Sequence, residues 1–409
     1  MPPFPLDLIA LLTKPGAYIV YGLIGFAFGY VLEISGFAIS NKLAAQFYFK
    51  EMTVLKVMFT AIVVAMVLIF GATALGLLDY NLIWVNPTYL WPGIVGGLIM
   101  GVGFIVGGFC PGTSLVAVST FKLDGLFFAL GGLFGIFLFG ETVQYFEDFW
   151  YSSYLGRFTL PELFKTSYGV VIVGVILMAL FMFWGGEQLE HIFGKKDLKK
   201  EPRVRYAGAA ALLAGAMIVA FIGQPTTAAR WAKIAPAKEA VLNERTVQIQ
   251  PAELLSLIHD HHLNIIMLDL RNEADYNLFH IDGARRVMPD QITDLVPELR
   301  LEPANTVVVA MSNDEAAATN AWKALTADSV PNVYILEGGI NNWLDTYAKE
   351  ATDLASNPTA GNDQLKYLFP AALGARYPFA DPDPEEFKIE FTPKVQLQNK
   401  RGATSGGCG

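Results

Sequence analysis

Two thiols in 409 residues are the first candidates for chemistry. Cys110 lies in Gly103-Phe-Ile-Val-Gly-Gly-Phe-Cys-Pro-Gly-Thr-Ser114. Pro111 and Gly112 break a helix just after it. The N–H groups of a broken helix put positive partial charge beside that sulfur, which favours thiolate and attracts an anion. Thr113 and Ser114 add hydroxyls that can donate to sulfonate-type oxygens. The competing reading of Cys110 is a small buried hydrophobe. Cys408 ends the run Asn399-Lys-Arg-Gly-Ala-Thr-Ser-Gly-Gly-Cys-Gly409. Small residues and glycines make a flexible arm with the thiol at its tip. Such an arm suits a covalent carrier, and the competing reading is an incidental Cys in a disordered tail. Two cysteines exclude a disulfide framework or a cysteine-rich metal site. No metal and no cofactor is expected.

The elements that must position these thiols fall into two unlike halves. Hydrophobic residues make up 53% of the chain and charged residues only 16%. Residues 1–235 hold 15 Lys/Arg and 13 Asp/Glu, net +2, so the remaining 14 and 25 give net −11 for residues 236–409. The acidic balance disfavours nucleic acid, whose phosphates need basic patches. Six runs in the first half are long enough to cross a bilayer: 16–39, 54–78, 92–109, 122–145, 168–185 and 206–223. The Pro-rich start does not read as a cleavable signal peptide. Lys195, Lys196, Lys199, Lys200, Arg203 and Arg205 crowd one loop and place it in the cytoplasm, whereas the loop 79–90 has no Lys or Arg. Everything after residue 224 is then expected outside.

Two stretches break the span pattern, Gly29–Ser40 and Gly103–Ser114, and each carries a Gly-Phe pair at the end of an apolar run. Irregular backbone at membrane depth needs cover from protein or a cavity, and broken helices aimed at a midplane site are a transporter device. The repeated element hints at an internal repeat. Plain close packing of helices on glycine is the alternative. Glu33 and Glu141 are costly acids within spans, with no Lys or Arg in mid-span to pair with them. Glu33, beside the first Gly-Phe pair, is a candidate for the pathway, whereas Glu141 is read as structural.

Gly107-Gly-Phe-Cys-Pro-Gly-Thr-Ser114, followed by Lys122-Leu-Asp-Gly125, resembles the YeeE/YedE family of sulfur-compound transporters. Ser35-Gly-Phe-Ala-Ile-Ser40 resembles that family's other recurring element. The resemblance spans about residues 16–185. It implies a substrate path past Gly108, Phe109, Cys110, Pro111, Gly112, Thr113 and Ser114, with Glu33 nearby and Cys110 as a relay for thiosulfate. There are two departures. Ala38 stands where the first element usually has Cys, and the membrane half looks like one half of a full-length member. A complete pathway then calls for a homo-oligomer or a second protein.

In the second half, Ile265–Leu270, Thr306–Met311 and Val333–Leu336 are buried-strand runs, separated by helical stretches at 251–260, 290–299 and 314–327. The alternation predicts an α/β domain with a mainly parallel sheet. Leu268-Asp-Leu-Arg271 with Glu273, Tyr276 and His280-Ile-Asp-Gly-Ala284, and later Leu336-Glu-Gly-Gly-Ile340 with Trp343, resemble the rhodanese signatures. Rhodaneses place a catalytic Cys in the loop after the central strand, where backbone N–H groups cradle a persulfide and an anionic substrate. Here that position falls on Met311, followed by the acids of Ser312-Asn-Asp-Glu315, so the loop is expected to be inactive. Asp269, Arg271 and His280 then read as structural. Glu386–Phe391 alternates like a strand. The Gly406-Gly-Cys-Gly409 ending resembles the carrier arm of the SoxY proteins.

The expected architecture is a helical polytopic membrane domain over 1–224, with about six spans and broken or re-entrant helices. A linker at 225–244, a rhodanese-like domain at 245–352 and a Cys-bearing extension at 353–409 follow. The expected function is inner-membrane transport or handling of thiosulfate or sulfane-sulfur compounds, with relay at Cys110, a carrier thiol at Cys408 and a periplasmic second half. A sulfur-carrier or Sox-type protein is the expected partner. The alternatives are a membrane-anchored sulfurtransferase in which Cys408 serves the rhodanese-like cleft, and a non-transporting sulfur-sensing scaffold.

Overall fold

The computed structural model describes residues 4–83, 85–197, 203–349 and 354–397. The Cys408 arm, Lys199 and Lys200 lie outside the described residues. Contacts divide the chain into two compact units, one ending at Gln224 and one beginning at Pro225.

The first unit is helical: α1 (Leu8–Ile34), α2 (Ser40–Ala44), α3 (Thr53–Ala74), α4 (Leu90–Gly107), α5 (Pro111–Ser119), α6 (Leu123–Thr142), α7 (Glu147–Trp150), α8 (Leu160–Phe164), α9 (Tyr168–Ile192) and α10 (Val204–Ile222). Among the described residues six stretches are long and apolar enough to cross a membrane: Leu11–Ile34, Thr53–Ala74, Leu90–Ser119, Leu123–Tyr145, Tyr168–Ile192 and Val204–Ile222. These are the six expected from the sequence, with altered ends. The first stops at Ile34 rather than 39. Gly36 takes φ +79°, its N–H donates to the Glu33 carbonyl, and the Phe37 N–H donates to the Leu32 carbonyl. That paired closure ends a helix, and glycine pays no Cβ penalty for it. Helices α3, α9 and α10 pack around Val63, Ile172, Ile176, Ala179, Ala216 and Val219.

The fifth span runs past 185 to Ile192 because its late acids are neutralised within the unit. Glu190 is wholly buried. Its Oε1 accepts from the Met52 N–H at 2.6 Å and its Oε2 meets Lys56 Nζ at 2.6 Å. Lys196 Nζ stands 3.8 Å from Oε1. A carboxylate at the N-terminus of α3 also matches the helix dipole. Glu187 is paired with Arg205 at 2.9 Å.

The second unit opens on α11 (Thr227–Asn243), the stretch expected to be a linker. Its alanines favour helix, Thr226 caps it through the Ala229 N–H, and Trp231 packs edge-on to Trp322. Then follow β1 (Gln248–Ile249), α12 (Pro251–Ile258), β2 (Asn264–Asp269), α13 (Glu273–Leu278), β3 (Arg285–Arg286), α14 (Val296–Leu301), β4 (Thr306–Met311), α15 (Ala316–Ala327), β5 (Val333–Leu336), α16 (Gly339–Tyr347), β6 (Ala355–Ser356) and β7 (Tyr367–Leu368). The five-stranded sheet has the order β1-β5-β4-β2-β3 and every pairing is parallel. Strand β4 is central and buried throughout, as its unbroken apolar run requires. The helix expected at 290–299 is instead a short turn at Pro289–Gln291 followed by α14.

Residues 354–397 are packed onto this domain. Leu365, Phe379 and Ala380 join its core, Phe379 packs against Phe279, and the Trp343 Nε1–H donates to the Phe379 carbonyl at 2.8 Å. The strand expected at 386–391 does not form. The N–H groups of Glu386 and Phe387 turn back to the Asp383 carbonyl, so these two groups are satisfied without a ladder.

Removing the buried Glu190 carboxylate strands Lys56 and the Met52 N–H. Glu190→Ala should cost about 3–5 kcal/mol, and Glu190→Gln, which keeps an acceptor for Met52, should cost less. Thermal unfolding of the purified protein in detergent checks both.

Candidate functional site

The two Gly-Phe elements are built alike. In the first, α1 ends, Gly36 takes a positive φ, Phe37 is buried, and Ala38 leads through Ile39 into α2. In the second, α4 ends, Gly108 takes φ +73°, Phe109 is buried, and Cys110 caps α5. Phe37, Ala38, Leu43, Val54, Phe109, Val116 and Ala117 form one core cluster. The elements therefore meet, and they meet closely. A Cβ on Gly108 would lie 3.2 Å from both the Cβ and the carbonyl oxygen of Ser40. The Ser40 hydroxyl in turn donates to Asp124 Oδ2 at 2.7 Å. Asp124 opens α6, which packs so tightly on α5 that a Cβ on Gly125 would fall 2.4 Å from that of Ala117.

Cys110 sits at the junction as the N-cap of α5. Its Sγ accepts from the Thr113 N–H at 3.4 Å and lies 3.3 Å from the Thr113 hydroxyl. The Thr113 Oγ1 accepts from the Cys110 N–H at 2.9 Å. This is a reciprocal capping box with sulfur in the place usually held by a Ser or Thr oxygen. Pro111 at the first helical position has no N–H to satisfy. The Gly112 N–H, one residue on, has no acceptor within the helix. Cys110 and Gly112 are half-buried and Pro111 is exposed, whereas Gly108, Phe109, Thr113 and Ser114 are buried. The open face of the motif is thus sulfur, proline ring and Gly112.

The hydroxyls expected to greet an anion are spent locally. Ser114 Oγ donates to the Pro111 carbonyl at 2.8 Å, and Thr113 serves the cap. Glu33 also differs from expectation, because it has a basic partner. Lys122 Nζ lies 3.7 Å from its Oε1, and Oε2 is buried without a partner. Lys122 precedes α6 and reaches Glu33 only through the fold. Ser40, Lys122 and Asp124 are the residues that site reasoning missed. Their signal was the Lys122-Leu-Asp-Gly125 run and the Ser that closes the first element.

In the second unit, Asp269 and Arg271 form a buried pair, with Arg271 Nη2 at 2.6 Å from Asp269 Oδ2 and donating to the Phe279 carbonyl. His280 lies flat on Tyr276, with centroids 3.9 Å apart. Met311 ends β4 with its thioether fully buried. The loop beyond it is occupied. Asp363 accepts from the Asp314 N–H (2.7 Å) and the Ala317 N–H (2.9 Å). Burial works against ionisation of Asp314, yet hydrogen bonds from Asn341, Lys366 and the Asp363 N–H hold its carboxyl below the ordinary value of 3.8. A depressed carboxylate stabilises fully above that unfolded value and loses its contribution as pH falls through the lower folded one.

The glycines predict a contrast. Gly108→Ala meets a left-handed backbone and the Ser40 carbonyl, and should cost about 1–2 kcal/mol or more. Gly103 faces open space inside α4, so Gly103→Ala should be neutral or gain up to ~1 kcal/mol. Paired thermal melts read the difference.

Residues 35–249 match the family model described as sulphur transport, and residues 250–346 match the rhodanese-like domain. The thiosulfate transporter TsuA of Spirochaeta thermophila is 24% identical over 208 residues, 47% of this chain and 59% of that protein. The chain therefore spans about three-fifths of that relative's length. The thiosulfate sulfurtransferase GlpE of Pseudomonas entomophila is 27% identical over 103 residues, 25% of this chain and 89% of that protein. GlpE of Pseudomonas fluorescens is 29% identical over 85 residues, 21% of this chain and 75% of that protein. Since the first model covers more than half of the chain and six apolar helices accompany it, the protein is a multi-pass membrane protein that belongs to the sulphur transport family and carries a rhodanese-like domain.

Proposed function

We propose that this protein moves thiosulfate or a related sulfane-sulfur compound across the bacterial inner membrane, with the Cys110 sulfur as the point of passage. The observation that carries this reading is the meeting of the two Gly-Phe elements at a half-buried thiol that caps a helix N-terminus. A sulfur anion reaching that junction finds a nucleophilic sulfur, the Gly112 N–H and the positive end of α5. The likeness to TsuA, a thiosulfate transporter by name, supports the substrate class.

A second copy would complete the pathway. Gly22, Gly25 and Gly29 on α1, Gly93, Gly97 and Gly101 on α4, and Gly132 and Gly135 on α6 all face open space within the chain. Small residues at such intervals let helices approach closely in a bilayer. The match extends over only 59% of that transporter, which fits the same reading. The rhodanese-like unit acts as a docking platform without turnover, because Met311 offers a thioether where persulfide chemistry needs a thiolate. Cys408 serves as a carrier thiol on the periplasmic side and hands sulfur to a Sox-type or similar partner. The alternative, a sulfurtransferase in which Cys408 enters the loop after β4, is disfavoured by the Asp363 carboxylate already bound there.

Cys110→Ser separates relay from structure, because Ser is itself a strong N-cap and should keep or improve stability. Uptake of labelled thiosulfate should fall at least about tenfold, since a hydroxyl lacks thiolate chemistry. Wild-type uptake by a stable Cys110→Ser protein removes the relay. In the same intact cells a membrane-impermeant maleimide should label Cys408, and labelling only after lysis would put the arm in the cytoplasm.

A further inference from the structure

The loop between β4 and α15 is shaped to hold an anion and is closed by the protein's own chain. Asp363 lies about fifty residues beyond that loop in sequence. Its carboxylate nevertheless bridges the Asp314 and Ala317 N–H groups, one oxygen to each. The contact is reciprocal, since the Asp363 N–H donates to Asp314 Oδ2 at 3.1 Å. Asn313 Nδ2 donates to the Asp363 carbonyl at 3.1 Å and to Asp275 Oδ2 at 2.7 Å.

The flanking residues hold Asp363 in place. The Asn341 side chain donates to the Gln364 carbonyl and accepts from the Lys366 N–H, both at 2.9 Å. Lys366 Nζ reaches Asp314 Oδ1 at 3.0 Å. Asp363 itself takes φ +54°, a backbone region that Asp tolerates better than most residues. One polar atom of the loop is left over, for Asn313 Oδ1 is buried without a partner. The filled loop is therefore not fully satisfied by the segment that fills it.

We propose that residues 361–366 form an autoinhibitory strap, in which the Asp363 carboxylate is an internal pseudo-ligand that keeps external sulfur oxyanions out of the loop. A carboxylate and a sulfur oxyanion offer these N–H groups the same thing, two oxygens sharing negative charge. Met311 removes the nucleophile and the strap removes the vacancy, so the domain is shut by two independent devices. The strap stands whether or not the membrane unit transports thiosulfate, and its test reads only the loop.

Amide hydrogen exchange on the full-length protein in detergent reads it directly. In the wild type the Asp314 and Ala317 N–H groups should exchange slowly, and sodium thiosulfate should change nothing. In Asp363→Ala the same two amides should exchange at least about tenfold faster while those of β4 stay protected. Thiosulfate, but not chloride at equal ionic strength, should restore their protection. Equal exchange in wild type and variant, no rescue by thiosulfate, or equal rescue by chloride overturns the proposal. If Asp363→Ala loses protection across the sheet, Asp363→Asn keeps one acceptor oxygen and should show intermediate exchange with partial rescue. Wild-type exchange in Asp363→Asn, or thiosulfate-dependent exchange at these amides in the wild type, also overturns it.

Discussion

A helix that stops must satisfy its own loose ends, and the membrane unit depends on how it does so. At Gly36 the paired N–H closures satisfy the Glu33 and Leu32 carbonyls at the end of α1. At Cys110 a sulfur-containing capping box satisfies the Thr113 N–H of α5 and the Cys110 N–H before it, and leaves the Gly112 N–H open. Gly108 links α4 to that cap in a left-handed turn. The same glycine lets the second element approach the Ser40 backbone. Once these ends are closed, Phe37 and Phe109 can share one core. The thiol is then held at the junction by packing that it did not have to provide.

The second unit solves a related problem in a different way. A parallel sheet delivers free N–H groups to the loop after β4 and the start of α15. Those groups need an acceptor, and the chain supplies one from residues that belong to no regular element of the sheet. Asp363 satisfies the loop, Trp343 fixes the Phe379 segment, and Glu253 accepts from the N–H groups of Lys394 and Val395. Residues 354–397 are thus part of the domain's hydrogen-bond network rather than an appendage.

What was legible in the sequence was what short-range pattern controls. The six spans, the parallel strands and the placement of Met311 at the end of β4 follow from periodicity, glycine and proline, whereas the break expected after Cys110 falls before it, because α4 ends at Gly107 and Pro111 opens α5. What was not legible depends on partners far apart in the chain. The fifth span was read as ending at 185, and the Met52 N–H and Lys56, which let Glu190 be buried beyond it, lie more than 130 residues away in the chain. Glu33 seemed to lack a cation until the fold brought Lys122 to it. The Thr113 and Ser114 hydroxyls looked free for a ligand, but Thr113 serves the cap of α5 and Ser114 donates to the Pro111 carbonyl. Pro225 and Pro236 suggested a linker, whereas the alanines between and after them make α11. Nothing local to Gly361-Asn-Asp-Gln364 announces that its acid belongs to a loop centred on Asp314.

The central claim is that a sulfur anion meets the Cys110 sulfur on the open face of its motif. The most direct measurement is the rate at which a small alkylating reagent modifies Cys110 in reconstituted Cys408→Ser protein, with and without thiosulfate. The account predicts ready modification that thiosulfate slows at least about tenfold, because thiolate exposure governs the rate, and that sulfate slows far less. A thiol that does not react, or that reacts at the same rate with saturating thiosulfate present, would contradict it.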